Sequence, residues 1–491
     1  MKRITWPSLA GSNSHAALKA LFMLVLSACA AAAGASTRPR VGGTLRVEMS
    51  ERVDNIDPRQ WPSAPVQVAA AERLSSLVFD RLVRLDEHGT PQPALAISWQ
   101  HDAESKRWQF RLREGVKFSD GTLLTPAIAA MALQQLLGAS FDVSASSDSV
   151  LIQADHSLPG LPMQLATGRY FIFHEGENGS LTGTGPFVFT IIESTGRPAQ
   201  AVFVENETCW SGRPFVDKVS VSMNVESEQE ANAIAFGQAD VVDLPASQVR
   251  RTAQRGVRIV SSDPVDLFAL VVRAPPSAGH AARLGQAISF AIDRASIADV
   301  ILQKQGVAAG GLLPNWISGY AHLFPTTFDL PRAKDLMVAS GRQLSRPAPL
   351  VLVYDSSDAE ARAVADRVAV NLKEAGILVQ VSGQSADGKA KPAAADLRLV
   401  RHRFAAPDPA AAITDLLQAL GEAPANIETL EQVYEAERAP IEAFRVIPLV
   451  HVSESYGLGP QVHDWMAPRW GGWDLADVWL GPPPAAGSGA P

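Results

Sequence analysis

Cysteine is nearly absent: the 491-residue chain carries two, Cys29 and Cys209. Two cysteines allow one bridge at most, and none if either is chemically modified. Catalytic signatures are missing as well. The chain has no C-x-x-C, no HExxH, no P-loop and no G-x-S-x-G nucleophile elbow, so no enzyme motif is available and no catalytic residue, cofactor or metal site is expected. The ten histidines are scattered, and His451 and His463 flank Glu454 at a spacing that fits no zinc pattern. Positive charge is in deficit, with 43 Lys and Arg against 51 Asp and Glu and a net charge of −8, which argues against a nucleic-acid partner. Long apolar runs are missing too. Ala16 to Ala28 is far shorter than the ~20 residues that span a bilayer as a stable helix, and no later stretch is longer. There is no internal repeat.

The N-terminus has the order of an export signal: Lys2 and Arg3, then the apolar run, then small residues. Leu26-Ser27-Ala28-Cys29 has the form of a lipobox, in which Cys29 would be acylated and become the mature N-terminus. The other reading is ordinary cleavage near Ala33 to Ala35. Loss of residues 1–28 removes Lys2, Arg3 and Lys19 and no acid, leaving 40 basic residues against 51 acidic ones and a charge of about −11. Lipidation at Cys29 would leave Cys209 alone, either as a reactive thiol or as a small buried hydrophobe. The exported chain is too long for one ordinary core and predicts two lobes. Its tail, Gly481 to Pro491, has nothing to bury and is expected to be disordered.

The most informative stretch is Trp108 to Pro126. Trp108, Phe110 and Leu112 alternate with Gln109, Arg111 and Arg113, the period of a half-buried strand. Glu114-Gly115 predicts a turn and Val116-Lys117-Phe118 a return strand. Thr125-Pro126 predicts a helix N-cap with proline at the first helical position, and Ile128, Met131 and Ala132 an apolar helix face. The words themselves, Phe110 to Thr122 as FRLREGVKFSDGT, resemble the signature of the family 5 extracellular solute-binding proteins, the oligopeptide, dipeptide and nickel receptors of ABC importers. Further stretches are similar to that family in the same order: Gly42-Gly43-Thr44-Leu45 with Ile56-Asp57-Pro58, Pro93 to Trp99, Gly183 to Phe189, Asn206 to Pro214, Phe236 to Val242, Leu284 to Arg294, and Leu330 to Gly341. The glycines of Gly183 to Phe189 precede a strand rather than a helix, so they predict a turn and no phosphate cradle.

The resemblance implies an α/β, two-lobed periplasmic-binding-protein-like fold with mixed sheets (type II, cluster C-like). It implies a signal peptide at 1–28, a lipid-anchored linker at 29–41, and lobe I at 42–265 with a trimmed subdomain about 137–183. Lobe II follows at 266–450, a return to lobe I at 451–480 and the disordered tail at 481–491. The function it implies is an exported receptor, periplasmic or otherwise outside the cytoplasmic membrane. Such a receptor takes a small solute or short peptide in an interlobe cleft and delivers it to ABC permease subunits. It would be monomeric, held to the membrane by its lipid, and not an enzyme. The family's ligand segment, roughly W-x-x-D-Y-x-[DE]-P, has its counterpart in His402 to Pro409. Ala405 falls where peptide receptors place the acid that pairs with the ligand ammonium; a slip in register would bring in Asp396 or Asp408 instead. The segment is basic, and on a strand Arg401 and Arg403 share a face with His402 opposite. It reads either as an anion-favouring cleft wall or as a solvated edge. The candidate ligand residues are therefore Arg401, His402, Arg403 and Asp408, with Trp316 and Tyr320 as aromatic walls. Trp465, Trp470, Trp473 and Trp479 either cap lobe I or line the cleft mouth. Because two regions look shortened and the ammonium acid is missing, the alternative is a degenerate envelope protein, a sensor or interaction subunit without transport.

Overall fold

The computed structural model describes residues 39–482 except 63–64, 87, 177–178, 194–198, 274–277, 321–322, 340–348, 385–394, 405–406, 424–426, 428, 469 and 471. The chain divides into two units, residues 1–40 and 41–491. Only Pro39 and Arg40 are described in the first, so the export segment and Cys29 lie outside the described residues, as do Ala405 and the tail after Pro482.

Eleven strands of the second unit form one mixed sheet: β1 (Thr44–Glu48), β2 (Phe187–Glu193), β3 (Ala199–Glu205), β4 (Lys218–Met223), β5 (Val241–Leu244), β6 (Arg258–Val272), β7 (Gly306–Ala308), β8 (Leu350–Asp355), β9 (Val379–Gln384), β10 (Leu397–Arg403) and β11 (Val446–Leu458). Their spatial order is β2-β3-β4-β1-β5-β11-β6-β10-β8-β9, with β7 added beside β11. β1 shows why such stretches are strands. Leu45 and Val47 are buried while Arg46 points outward and pairs with Asp240 at 2.8 Å. Among the described residues the two halves of the sheet meet through β6 and β11, which pair antiparallel from Arg258 with Leu458 to Val271 with Val446. The boundaries expected at 265/266 and 450/451 both fall inside these long strands. Separate apolar cores lie on either side, one around Leu45, Leu74, Phe203 and Tyr456, the other around Ile288, Val364, Leu372 and Leu449.

A second, four-stranded sheet holds the signature stretch, with strands in the order 96–101, 107–112, 149–154 and 141–145. Trp108, Phe110 and Leu112 face its core, and Thr125 caps the helix Pro126–Leu137, its Oγ1 accepting from the Ile128 N–H at 3.3 Å. Two expectations are corrected here. Val116 to Phe118 does not pair back on 107–112, because both edges of that strand are already taken by 96–101 and 149–154; the segment makes a single bridge, Lys117 to Leu123. The buried helix face is Ala129, Ala132, Leu133 and Leu136, while Met131 is 63% exposed. The apolar surplus of that helix hid its true inward face.

The turn at Gly183 to Pro186 has a different purpose from simple reversal. Gly185 donates its N–H to the Val78 carbonyl at 2.9 Å, at the end of the helix Pro65–Val78. Thr184 and Trp210 both donate to Asp80, at 2.8 and 2.7 Å, and Asn206 donates to the Gly185 carbonyl at 2.9 Å. Two family-like stretches thus meet on one helix end and act as scaffold. Cys209 sits in this junction, buried, and burial pushes its thiol pKa up, which takes the side of a buried hydrophobe over a reactive thiol. A Cβ on Gly183 would fall 1.9 Å from the Val78 carbonyl oxygen, whereas one on Gly160 would meet nothing within 4 Å. Gly183→Ala is therefore expected to lower stability by about 3 kcal/mol or more, and Gly160→Ala by less than about 0.5 kcal/mol, both read from denaturant midpoints. Equal midpoints for the two variants would contradict this packing.

Candidate functional site

The crossing strands place the groups that matter. β6 is irregular between Ser261 and Asp266, where Pro264 offers no N–H and the pairing to β11 slips twice. The released Pro264 carbonyl accepts from the Trp316 indole N–H at 2.7 Å. Asp263 and Pro264 line a cavity of about 590 Å³, and Asp266 lines a recess of about 70 Å³.

Arg73, Arg401 and Arg403 line the recess, with Glu51, Asp266 and Glu454. Arg401 meets Asp266 at 2.6 Å, Asp358 at 3.1 Å and Glu360 at 3.2 Å. Arg403 meets Glu454 at 2.5 Å and Asp266 at 3.7 Å, and Arg73 meets Glu454 and Asp243, each at 2.6 Å. Three guanidiniums are thus held by five carboxylates. Burial alone would raise the Glu454 carboxyl, but Arg403 and Arg73 hold it down at about 2. Arg401, which burial alone would lower, is carried well above its ordinary value by Asp266, Asp358 and Glu360. Arg401 and Arg403 are thus largely buried and each is already paired with carboxylates.

Behind the recess the balance tips toward acid. Burial pushes Asp243 up to about 7, and Glu230, fully buried, up to about 10, with Asp243 and Glu51 adding to the effect. One Glu51 oxygen, one Asp243 oxygen and both Glu230 oxygens have no hydrogen-bond partner among the described residues.

The large cavity is built differently. Its walls come from Val307 to Thr326, from Asp263 and Pro264, and from Glu437 and His451. Glu437, on the helix Leu430–Glu442, is fully buried and holds the loop: it accepts from the Leu312 N–H, from the Leu313 N–H at 3.0 Å and from the Tyr320 hydroxyl. Burial raises its pKa, and burial with Glu437 raises that of Tyr320. His451, on β11, places Nε2 3.0 Å from the Leu312 carbonyl oxygen, and burial lowers its pKa to about 4.

Of the six residues singled out from sequence, Trp316 and Tyr320 line the cavity, and Arg401 and Arg403 line the recess. His402 points to the other face of β10, packed edge-on to Phe404 and 3.6 Å from Asp415. Asp408 caps the helix Pro409–Leu420, accepting from the Ala411 N–H at 2.8 Å. The tryptophans separate: Trp465 and Trp473 join a core beside Tyr456, Trp479 stacks on His463, and Trp470 reaches Trp316 with ring centroids 5.5 Å apart. Sequence reading missed Glu437, although it sits on an apolar helix stripe with Val433 and Pro440, the pattern that marks a buried polar group. It also missed Arg73 and Asp266, whose partners are too distant in the chain to leave a local trace. Among the described residues no group of three or more His, Cys, Asp or Glu is placed to hold a metal ion.

The model for bacterial extracellular solute-binding proteins, family 5 (middle region), matches residues 90–158 and 156–419. The chain belongs to this family. Among curated relatives, the nickel-binding periplasmic protein of Escherichia coli K12 is 26% identical over 351 residues, 63% of this chain and 66% of that protein. The probable D,D-dipeptide-binding periplasmic protein DdpA of the same organism is 24% identical over 314 residues, 58% of this chain and 60% of that one. The chain thus matches somewhat under two thirds of these relatives' lengths. Among solved structures, NikA from Brucella suis in complex with Fe(III)-EDTA aligns with a TM-score of 0.77 at 18% identity, over 89% of this chain and 100% of that one. AppA from Bacillus subtilis, in complex with a nonapeptide, aligns at 0.75 and 15% identity, over 91% and 100%. At such identities the likeness establishes the fold, and the family 5 chain described here has the two-lobed α/β architecture of those binding proteins.

Glu230 supplies a test of the acid surplus. An unfolded glutamate ionises near 4.5, while the folded one keeps its proton to about 10. Its contribution is therefore complete below pH 4.5 and declines as pH rises toward 10. Glu230→Gln is expected to raise stability at pH 8 by about 1–4 kcal/mol and to flatten the decline between pH 5 and 8 in denaturant titrations. An unchanged slope would mean that Glu230 ionises normally.

Proposed function

We infer that this family 5 protein is the exported receptor of an ABC importer, capturing a small solute beside the crossing strands and delivering it to membrane permease subunits. The observation that carries the reading is the cavity of about 590 Å³ next to β6, walled by Trp316 and Tyr320 and held in shape by Glu437. A largely pre-formed, mostly apolar cavity with a few fixed polar groups is the form of a small-molecule site. Export by the signal at 1–28 and anchoring through an acylated Cys29 complete the reading, with the folded unit acting as a monomer outside the cytoplasmic membrane. Family membership supports binding over catalysis, because the relatives are themselves described as binding proteins.

A thermal-shift screen of the full chain against peptides, amino acids, sugars, dicarboxylates and metal ions tests this. A solute that binds the native state raises the midpoint with concentration, by about 2.7 kcal/mol of added stability at one hundred times its Kd. Trp316→Ala is expected to weaken that solute at least about tenfold, as loss of a buried aromatic anchor does. Absence of any ligand, both in the screen and carried by protein isolated from the cell envelope, would move the function to a sensor or interaction subunit without transport.

A further inference from the structure

The chemistry of the cavity wall narrows the solute. Val307 to Thr326, which forms most of that wall, contains no Lys, Arg, Asp or Glu. The ionisable groups among the described lining residues are Asp263, Tyr320, Glu437 and His451. No guanidinium or ammonium is among them, and the arginines of the neighbouring recess are held by carboxylates. An anion entering here would lose its hydration and meet no counter-charge. Nor is a carboxylate open to a cation: Glu437 already accepts three hydrogen bonds, and Asp263 has interactions of its own. The walls offer ring faces instead. Trp316 packs on Trp470, while Tyr320 and Phe324 both pack on Tyr434, the latter nearly parallel with centroids 5.4 Å apart.

One polar group in this wall is unsatisfied. His451 is 7% exposed and lines the cavity. Its Nε2 faces a carbonyl oxygen, which can only accept, so Nε2 carries the ring proton and Nδ1 presents a lone pair. Among the described residues the hydrogen bond of this ring is the one at Nε2, and none is made at Nδ1. Burial keeps the ring neutral at neutral pH. A solute that fills the cavity expels the water at Nδ1, and must replace it with a donor or leave a buried acceptor bare.

We propose that the cavity selects an uncharged, ring-bearing solute that donates an N–H or O–H to Nδ1 of His451. This rests on the receptor reading above and specifies its substrate class.

Isothermal titration of the full chain with three matched probes tests it: cyclo(Gly-Phe), whose donors are its two ring amides, its N,N′-dimethyl derivative, which has none, and linear Gly-Phe, which carries both terminal charges. The cyclic dipeptide is expected to bind, and either N-methylation or ring opening to weaken it at least about tenfold, the scale of one buried hydrogen bond. His451→Phe keeps a ring of similar size and removes the acceptor, so it is expected to abolish the preference for N–H over N-methyl. His451→Gln, which retains an acceptor, is expected to restore part of it. Because the comparison is between probes within each variant, a general loss of stability does not imitate the result. Equal or tighter binding of the linear dipeptide, an N–H preference that survives in His451→Phe, or no binding of the cyclic probe would each overturn the proposal. The first of these, if lost in Trp316→Ala, would leave the receptor reading standing with a charged solute.

Discussion

The pairing of β6 with β11 is the constraint on which the molecule depends. These are the two strands through which both halves of the large sheet connect, and the core residues of each half hang from their opposite ends. Charges buried at the crossing make this pairing expensive to disturb. Glu454 on β11 and Asp266 on β6 bind Arg403 together, and Arg73 ties the helix Pro65–Val78 to the same Glu454. A buried ion pair adds little net stability over apolar packing, yet removing one partner leaves an uncompensated charge that costs about 3–5 kcal/mol. The network therefore acts as a registration device: other alignments of the strands would strand charges in low dielectric.

Much of the scaffold was legible because its signals are local. Thr125-Pro126 announces a helix start, and Thr125 caps that helix by accepting from the Ile128 N–H. The family-like words at Gly183 to Phe189 and Asn206 to Pro214 turned out to be joints at the end of the helix Pro65–Val78. What failed locally failed for a tertiary reason. Val116 to Phe118 has a strand's pattern but no free edge to join. Met131 has a core residue's chemistry but lies on the outer face of a helix rich in alternatives.

The site was legible only in part. Trp316 and Tyr320 could be named as aromatic walls from residue type alone, and both line the cavity. The signs on Arg401 and Arg403 were plain, but the carboxylates that neutralise Arg401 lie 135, 43 and 41 residues away, and nothing within β10 reports them. Charge read along the single strand therefore gave the arginines without the carboxylates that pair with them in the folded recess. Glu437 and His451 reach the loop across 125 and 139 residues, so their role as the supports of the cavity is a property of the fold alone.

Recess and cavity divide the labour along one strand. The charged recess fixes how β6, β10 and β11 meet, and its internal pairing leaves little differential affinity for an incoming ion. The cavity sits beyond the proline that interrupts β6, where the backbone is freed from the ladder and the Pro264 carbonyl can hold Trp316 instead. The shape of the cavity loop depends on one buried glutamate, apart from the charges that hold the sheet in register. The paired charges that hold the sheet in register and the loop that walls the cavity are thus adjacent in the fold but electrostatically separate.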